Sequence, residues 1–192
     1  LMQEELGHIE GGTQTLVRAL ISAIEERGGT IHLGQPVQEV CIAEGRVSGI
    51  RTEKGFAEFD AVISTVPTPL IAKTIPDLPI AAKQSYEAIK NIGVICLIFK
   101  LRKSVSPHFW VNVVDSRIKI PGFVEFSNLR STGDHIVYVP YYTPVGNAIW
   151  QKSNAALMDE AFGYLKLVNP SLTDSDRIDS ACGRLLYAQP VC

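Results

Sequence analysis

No G-x-G-x-x-G run occurs in these 192 residues. The glycine fingerprint that cradles a dinucleotide pyrophosphate between a strand and a helix is therefore missing. No Cys-x-x-Cys pair occurs either. The four cysteines, Cys41, Cys96, Cys182 and Cys192, are scattered, as are His8, His32, His108 and His135, so no metal site and no thioredoxin-like redox pair is expected. Cys41 and Cys96 fall in strand-like runs and read as small buried hydrophobes of a reducing, cytoplasmic compartment. No apolar run approaches the roughly 18 residues of a membrane span; the longest, residues 92–99, is strand-sized. The start, Leu1-Met2-Gln3-Glu4-Glu5, is acidic and lacks the apolar region of a secretory signal. With a net charge of −2 and no block of Lys and Arg, a broad nucleic-acid-binding face is not expected, which leaves room for a local patch only.

What is present is an ordinary globular composition, 46% apolar and 20% charged, in a chain long enough for one large domain or two small ones. Residues 13–27 carry Leu16, Leu20 and Ile24 at i, i+4 and i+8, widened by Val17 and Ile21, which predicts an amphipathic helix. Thr13 or Thr15 is the expected N-cap and Gly28-Gly29 the stop. A short apolar strand is expected at residues 30–33. Three strand-like runs follow, at 37–43, 46–52 and 56–59, with turns at Glu44-Gly45 and Glu53-Lys54-Gly55. The continuous apolar run from Ala61 to Val66 has the pattern of a strand buried on both faces. It is expected to lie parallel to residues 30–33, with the three-stranded meander inserted between them.

Pro76 and Pro79 break regular structure and suggest a boundary, giving domains at residues 1–75 and 76–192. Beyond it, a short helix is expected at 81–90 and strands at 94–101, 109–114, 123–127, 136–142 and 178–187. Residues 153–168 predict a helix with Ser153 as N-cap and Leu157, Ala161, Tyr164, Leu165 and Val168 as its stripe, stopped by Asn169-Pro170. Strands followed by a helix suggest an antiparallel α+β layer. The fold class is thus α/β plus α+β.

Particular residues in this pattern resemble one superfamily. Gly11-Gly12-Thr13-Gln14 with Leu16 and Leu20 looks like the helix start of flavin-dependent amine oxidases, carotenoid desaturases and protoporphyrinogen-oxidase-like proteins. Pro36-Val37-Gln38-Glu39-Val40 is similar to their P-V strand, and Asp60 through Pro67 to their V-I-x-T-x-P return strand. Phe109 through Asp115, Val124 through Asn128 and Tyr187 through Val191 resemble their substrate domain. The resemblance implies an internal piece of a longer protein. That piece would hold part of a Rossmann-like FAD-binding domain with an inserted meander, joined to an antiparallel-sheet substrate domain with helices. It also implies hydride transfer from a small or apolar organic substrate to FAD.

The Val37 backbone is then expected at the adenine end of FAD, or Val37 merely packs. Gly11 and Gly12 either let the flavin or substrate approach the backbone or form a plain turn. Thr65 and Pro67 either line the cofactor or end a strand. Trp110, Tyr138 and Tyr142, with Tyr141 beside them, either line a substrate cavity or belong to the core. Asp60 reads as structural. Lys100 and Lys103 lie near the expected place of an amine-oxidase lysine, but their flanking residues do not match, so no catalytic residue is assigned. Expected partners are a small-molecule substrate, no nucleic acid and no membrane span, with oligomeric state open. Two alternatives remain: a non-redox FAD enzyme of the UDP-galactopyranose mutase type, and a non-catalytic module that keeps the fold.

Overall fold

The spacing of Leu16, Leu20 and Ile24 forms the helix it predicts. In the computed structural model, which describes residues 7–191, α1 covers Thr13–Glu25. Its N-cap is Gly12, at φ 74°, and no side chain caps the helix, which corrects the expectation of Thr13 or Thr15. Both threonines already lie inside the helix, and the left-handed backbone before it suits glycine and not a β-branched residue. At the other end the Gly28 and Gly29 N–H groups donate to the Glu25 and Ile24 carbonyls.

The meander follows as β1 (Glu39–Ala43), β2 (Arg46–Thr52) and β3 (Gly55–Glu58), paired antiparallel in that order. Glu44 and Gly45 have φ of 52° and 76°, the two left-handed residues a tight hairpin requires. By contrast, residues 30–33 and 61–66 belong to no sheet among the described residues. Leu33 and Ile63 are 84% and 93% exposed. The apolar run marks a segment suited to burial, but a strand needs a neighbour to complete its ladder, and neither segment has one here. Two helices that begin at prolines complete this part: α2 (Thr68–Thr74), which the sequence reading missed, and α3 (Ile80–Ala88).

The remaining elements are β4 (Asn91–Leu101), β5 (Trp110–Asn112), β6 (Gly122–Glu125), β7 (His135–Thr143), α4 (Asn154–Val168) and β8 (Arg177–Pro190). They form one five-stranded sheet in the order β5-β6-β7-β4-β8. The pairs β5–β6, β6–β7 and β4–β7 are antiparallel. Hydrogen bonds from Val191 N–H to Lys90 C=O and from Arg102 N–H to Asp176 C=O flank β4 and β8 at their two ends, so these strands also run in opposite directions. The chain forms two compact units, a meander unit, Gly11–Asn91 with residues 189–191, and a sheet unit, Ile92–Ala188 with residues 7–10.

The period of two along β4 buries Ile95, Leu97, Phe99 and Leu101 on one face. There they meet Val137, Val139 and Tyr141 of β7 and the α4 stripe of Leu157, Ala161, Phe162 and Leu165. Ser153 caps α4 by accepting the Ala156 N–H at 3.2 Å, as its sequence suggests. One carboxylate is fully buried. Glu125 Oε2 accepts the N–H groups of Val105 (2.9 Å) and Ser106 (2.8 Å), holding the chain between β4 and β5. Its Oε1 lies 3.3 Å from His135 Nδ1.

Candidate functional site

The second face of the five-stranded sheet is half-buried along β4 and β7 and exposed at Tyr142. Val94, Cys96 and Ile98 of β4 and Tyr138, Pro140 and Tyr142 of β7 alternate with the buried residues, and the register pairs Val94 with Tyr142, Cys96 with Pro140 and Ile98 with Tyr138. Strand β6 pairs with β7 at two positions, Val124 with Tyr138 on this face and Glu125 with Val137 on the buried one. Beyond them the β6–β7 ladder ends, while β6 remains joined to β5 through Asn112↔Gly122.

Pro140 explains where the ladder ends. The Ile136 N–H donates to Ser127 Oγ at 2.7 Å, on the β6 side of β7. Alternate residues of a strand direct their N–H groups to the same side, so the donor that Pro140 lacks would have faced β6 and not β4. The β4–β7 ladder therefore continues past the proline, and the β6–β7 ladder stops short of it.

On this face, over β5, β6 and β7, lies a hollow of about 140 Å³, lined by Trp110, Asn112, Pro121, Gly122, Phe123, Val124, Pro140 and Tyr142. None of these residues is Asp, Glu, Lys, Arg or His. Trp110 Nε1–H donates to Asn112 Oδ1 at 2.9 Å. A Cβ on Gly122 would stand 2.4 Å from the Val111 carbonyl oxygen, so only glycine lets β5 approach β6 closely here. Of the aromatic residues singled out in the sequence, the structure brings Trp110 and Tyr142 together in the hollow. Tyr138 shares their face but lies outside the lining, its ring edge-on to Phe126 at 5.8 Å. Tyr141 faces the core, where burial pushes its phenol far above the ordinary range.

A second hollow, of about 320 Å³, lies in the meander unit against β2 and β3. His32, Gln35, Val37, Thr52, Phe56 and Phe59 line it. Val37 stands just before the ladder, whose first cross-strand bond runs from Gln38 N–H to Arg51 C=O at 2.9 Å. Gly11, Gly12, Thr65 and Pro67 do not line this hollow.

The lysines near the expected catalytic position are occupied elsewhere. Lys100 pairs with Asp134 at 2.8 Å and Lys103 with Asp176 at 3.2 Å. Burial, and after it Cys182, raises the Cys96 thiol, the opposite of what a nucleophile needs. Arg117 holds the Asp115 carboxyl down at about 2 in an exposed turn after β5. No group of three or more potential metal ligands occurs among the described residues. No helix among them is long and apolar enough to cross a membrane.

Residues 1–178 match the flavin containing amine oxidoreductases. The chain belongs to that family. The 4,4'-diaponeurosporene oxygenase of Staphylococcus aureus strain USA300 is 38% identical over 68 residues, 34% of this chain and 14% of that protein. A protoporphyrinogen-oxidase-like protein from Exiguobacterium sp. 255-15 superposes with a TM-score of 0.78 at 16% identity, covering 96% of this chain and 41% of its own. Reduced UDP-galactopyranose mutase gives 0.69 at 13% identity, with 94% and 40% covered. At these identities the two structures establish the fold alone: helices with antiparallel sheets, as in FAD-dependent oxidoreductases. The chain spans about two fifths of these structures and 14% of the curated relative.

Sequence reasoning missed Asn112, Pro121, Gly122 and Pro140. The available signal was Pro140 within a run of Val and Tyr, since proline inside a strand marks a position with no neighbour on its N–H side.

Proposed function

We propose that this chain is the part of an FAD-dependent oxidoreductase that contributes one wall of the cofactor site and the substrate-facing sheet. The single observation that carries the reading is the family match over residues 1–178. The residues present fit the cofactor. The Val37 N–H and C=O stand outside the β1–β2 ladder beside a hollow, and a strand end of this kind offers the donor and acceptor that an adenine edge needs. The uncapped N-terminus of α1 opens on Gly11 and Gly12, both left-handed. A Cβ on Gly11 would collide with Thr15 Oγ1, which fills the space on that side of the backbone, so this turn requires glycine. Thr65 and Pro67, exposed just before α2, complete the proposed contacts in a Rossmann-like domain.

FAD, when bound, supplies the hydride acceptor. The chain's own residues bind and orient. Trp110 and Tyr142 form an apolar surface for the substrate, with Tyr138 on the same face. The hollow lacks a carboxylate to hold an ammonium group, which supports a neutral organic substrate over an amine.

The test is the visible spectrum of the full-length protein that carries this chain. Flavin absorbance that bleaches anaerobically with substrate is expected. Bound flavin that no substrate reduces would favour the non-redox reading, and a colourless full-length protein that does not take up FAD would leave a non-catalytic module. Residues 1–192 alone are expected to be colourless.

A further inference from the structure

We infer that the hollow between β5, β6 and β7 receives an uncharged, ring-sized apolar group that carries an oxygen acceptor, and that Asn112, oriented by Trp110, donates to that oxygen. This deepens the substrate-facing role proposed for the same sheet and rests on it for its place in catalysis. The binding itself requires no flavin.

Three observations carry the inference. The first is size. At about 140 Å³, the hollow is close to the engineered cavity of about 150 Å³ that takes up benzene, so it accommodates one six-membered ring or a branched chain end. The second is charge. With no ionisable acid or base in its lining, the hollow offers an ammonium or carboxylate no ion-pair partner.

The third is the direction of one amide. An indole N–H can only donate, so the 2.9 Å contact between Trp110 Nε1 and Asn112 fixes the amide oxygen on the indole side. That leaves the amide NH₂ as the donor Asn112 presents. The remaining lining side chains are apolar apart from the Tyr142 hydroxyl and the Trp110 N–H, which Asn112 already engages. A purely hydrocarbon ligand offers the NH₂ no acceptor, whereas a carbonyl, ether or hydroxyl oxygen does. The hollow thus selects a neutral oxygenated ligand over a neutral hydrocarbon and over a cation.

The experiment titrates the full chain with cyclohexanone, methylcyclohexane and, at pH 7, cyclohexylammonium, following the indole N–H resonance of Trp110 by NMR. Saturable movement with cyclohexanone is expected, with an affinity about three- to tenfold above that for methylcyclohexane, the range of one hydrogen bond, and no saturable response to cyclohexylammonium. Asn112→Leu should erase the preference for the ketone. Asn112→Asp keeps an acceptor for the Trp110 N–H while removing the donor, so it too should erase that preference, with the indole resonance still in its hydrogen-bonded position.

Equal affinity for ketone and hydrocarbon in the unaltered chain overturns the role of Asn112. Saturable binding of cyclohexylammonium overturns the neutral-ligand assignment, and absence of saturable movement with all three probes overturns the hollow as a site. Because the readout uses no flavin, these failures are separate from failure of the oxidoreductase reading, which the full-length spectrum decides.

Discussion

Helices α1 and α4 are of similar length, 13 and 15 residues, and α1 carries the cleaner apolar stripe. Yet α4 buries Leu157, Ala161, Phe162 and Leu165, while α1 buries nothing. The same contrast extends to the two units. The sheet unit closes a core around β4, β7 and α4. In the meander unit, Val40 is the one buried apolar side chain among the described residues. Leu16, Val17, Leu20 and Ile24 of α1 remain exposed, as do Leu33, Phe56, Phe59 and Ile63. An amphipathic pattern prescribes a face for burial; it does not supply what covers that face. The sheet unit contains both sides of its own interface and the meander unit contains one.

Truncation in the core draws this contrast most sharply. Leu165→Ala should destabilise the sheet unit by about 2–5 kcal/mol, because α4 cannot collapse into the space that is left. Amide exchange at Ile95 and Val139 reads this unit separately from the other. Protection unchanged at those two amides would contradict the closed core.

Glu125→Ala should come next, at about 1–3 kcal/mol in the same exchange measurement, because it strands the Val105 and Ser106 N–H groups. Glu125→Gln, which keeps an acceptor oxygen, should cost less. If the two substitutions are equally damaging, charge and not the pair of hydrogen bonds is what matters.

In the meander unit the expected effects shift from stability to ligand affinity. In the full-length protein, Val37→Pro should weaken FAD binding about threefold to tenfold, the range of one lost hydrogen bond, whereas Val37→Ile should leave it nearly unchanged. Circular dichroism on the same samples checks the fold. A well-folded Val37→Pro protein with unaltered FAD affinity would falsify the adenine contact and leave Val37 as a packing residue.

The smallest effect is expected at Leu20→Ala in this chain. The side chain is exposed, so thermal unfolding should move by no more than about 0.5 kcal/mol equivalent. A loss comparable to that of Leu165→Ala would erase the contrast between the two helices.

Much of this architecture is local and was therefore readable. The Glu44-Gly45 hairpin depends on two adjacent residues, the Ser153 cap on a hydroxyl three residues from its donor, and the α4 stripe on spacing alone. Residues 30–33 and 61–66 were misread as paired strands because their apolar character is intrinsic, whereas a ladder depends on a neighbour. Helix α2 was missed because Thr68-Pro69 reads as a break, although proline in the first turn is compatible with a helix. Trp110 and Tyr142 could be nominated as aromatics, but their convergence on one hollow depends on how β5, β6 and β7 are set side by side, which no short window encodes.

The hollow over these strands has a consequence for ligand kinetics. A pocket that must open before it binds is available only in the fraction of molecules that are open, and its apparent affinity falls by that fraction. The hollow lies on the face of the sheet over Gly122 and Pro140 as the folded chain places them, so no strand has to move before a guest arrives. Every folded molecule offers the vacancy, and its occupancy should track ligand concentration directly, without a slow conformational phase preceding binding.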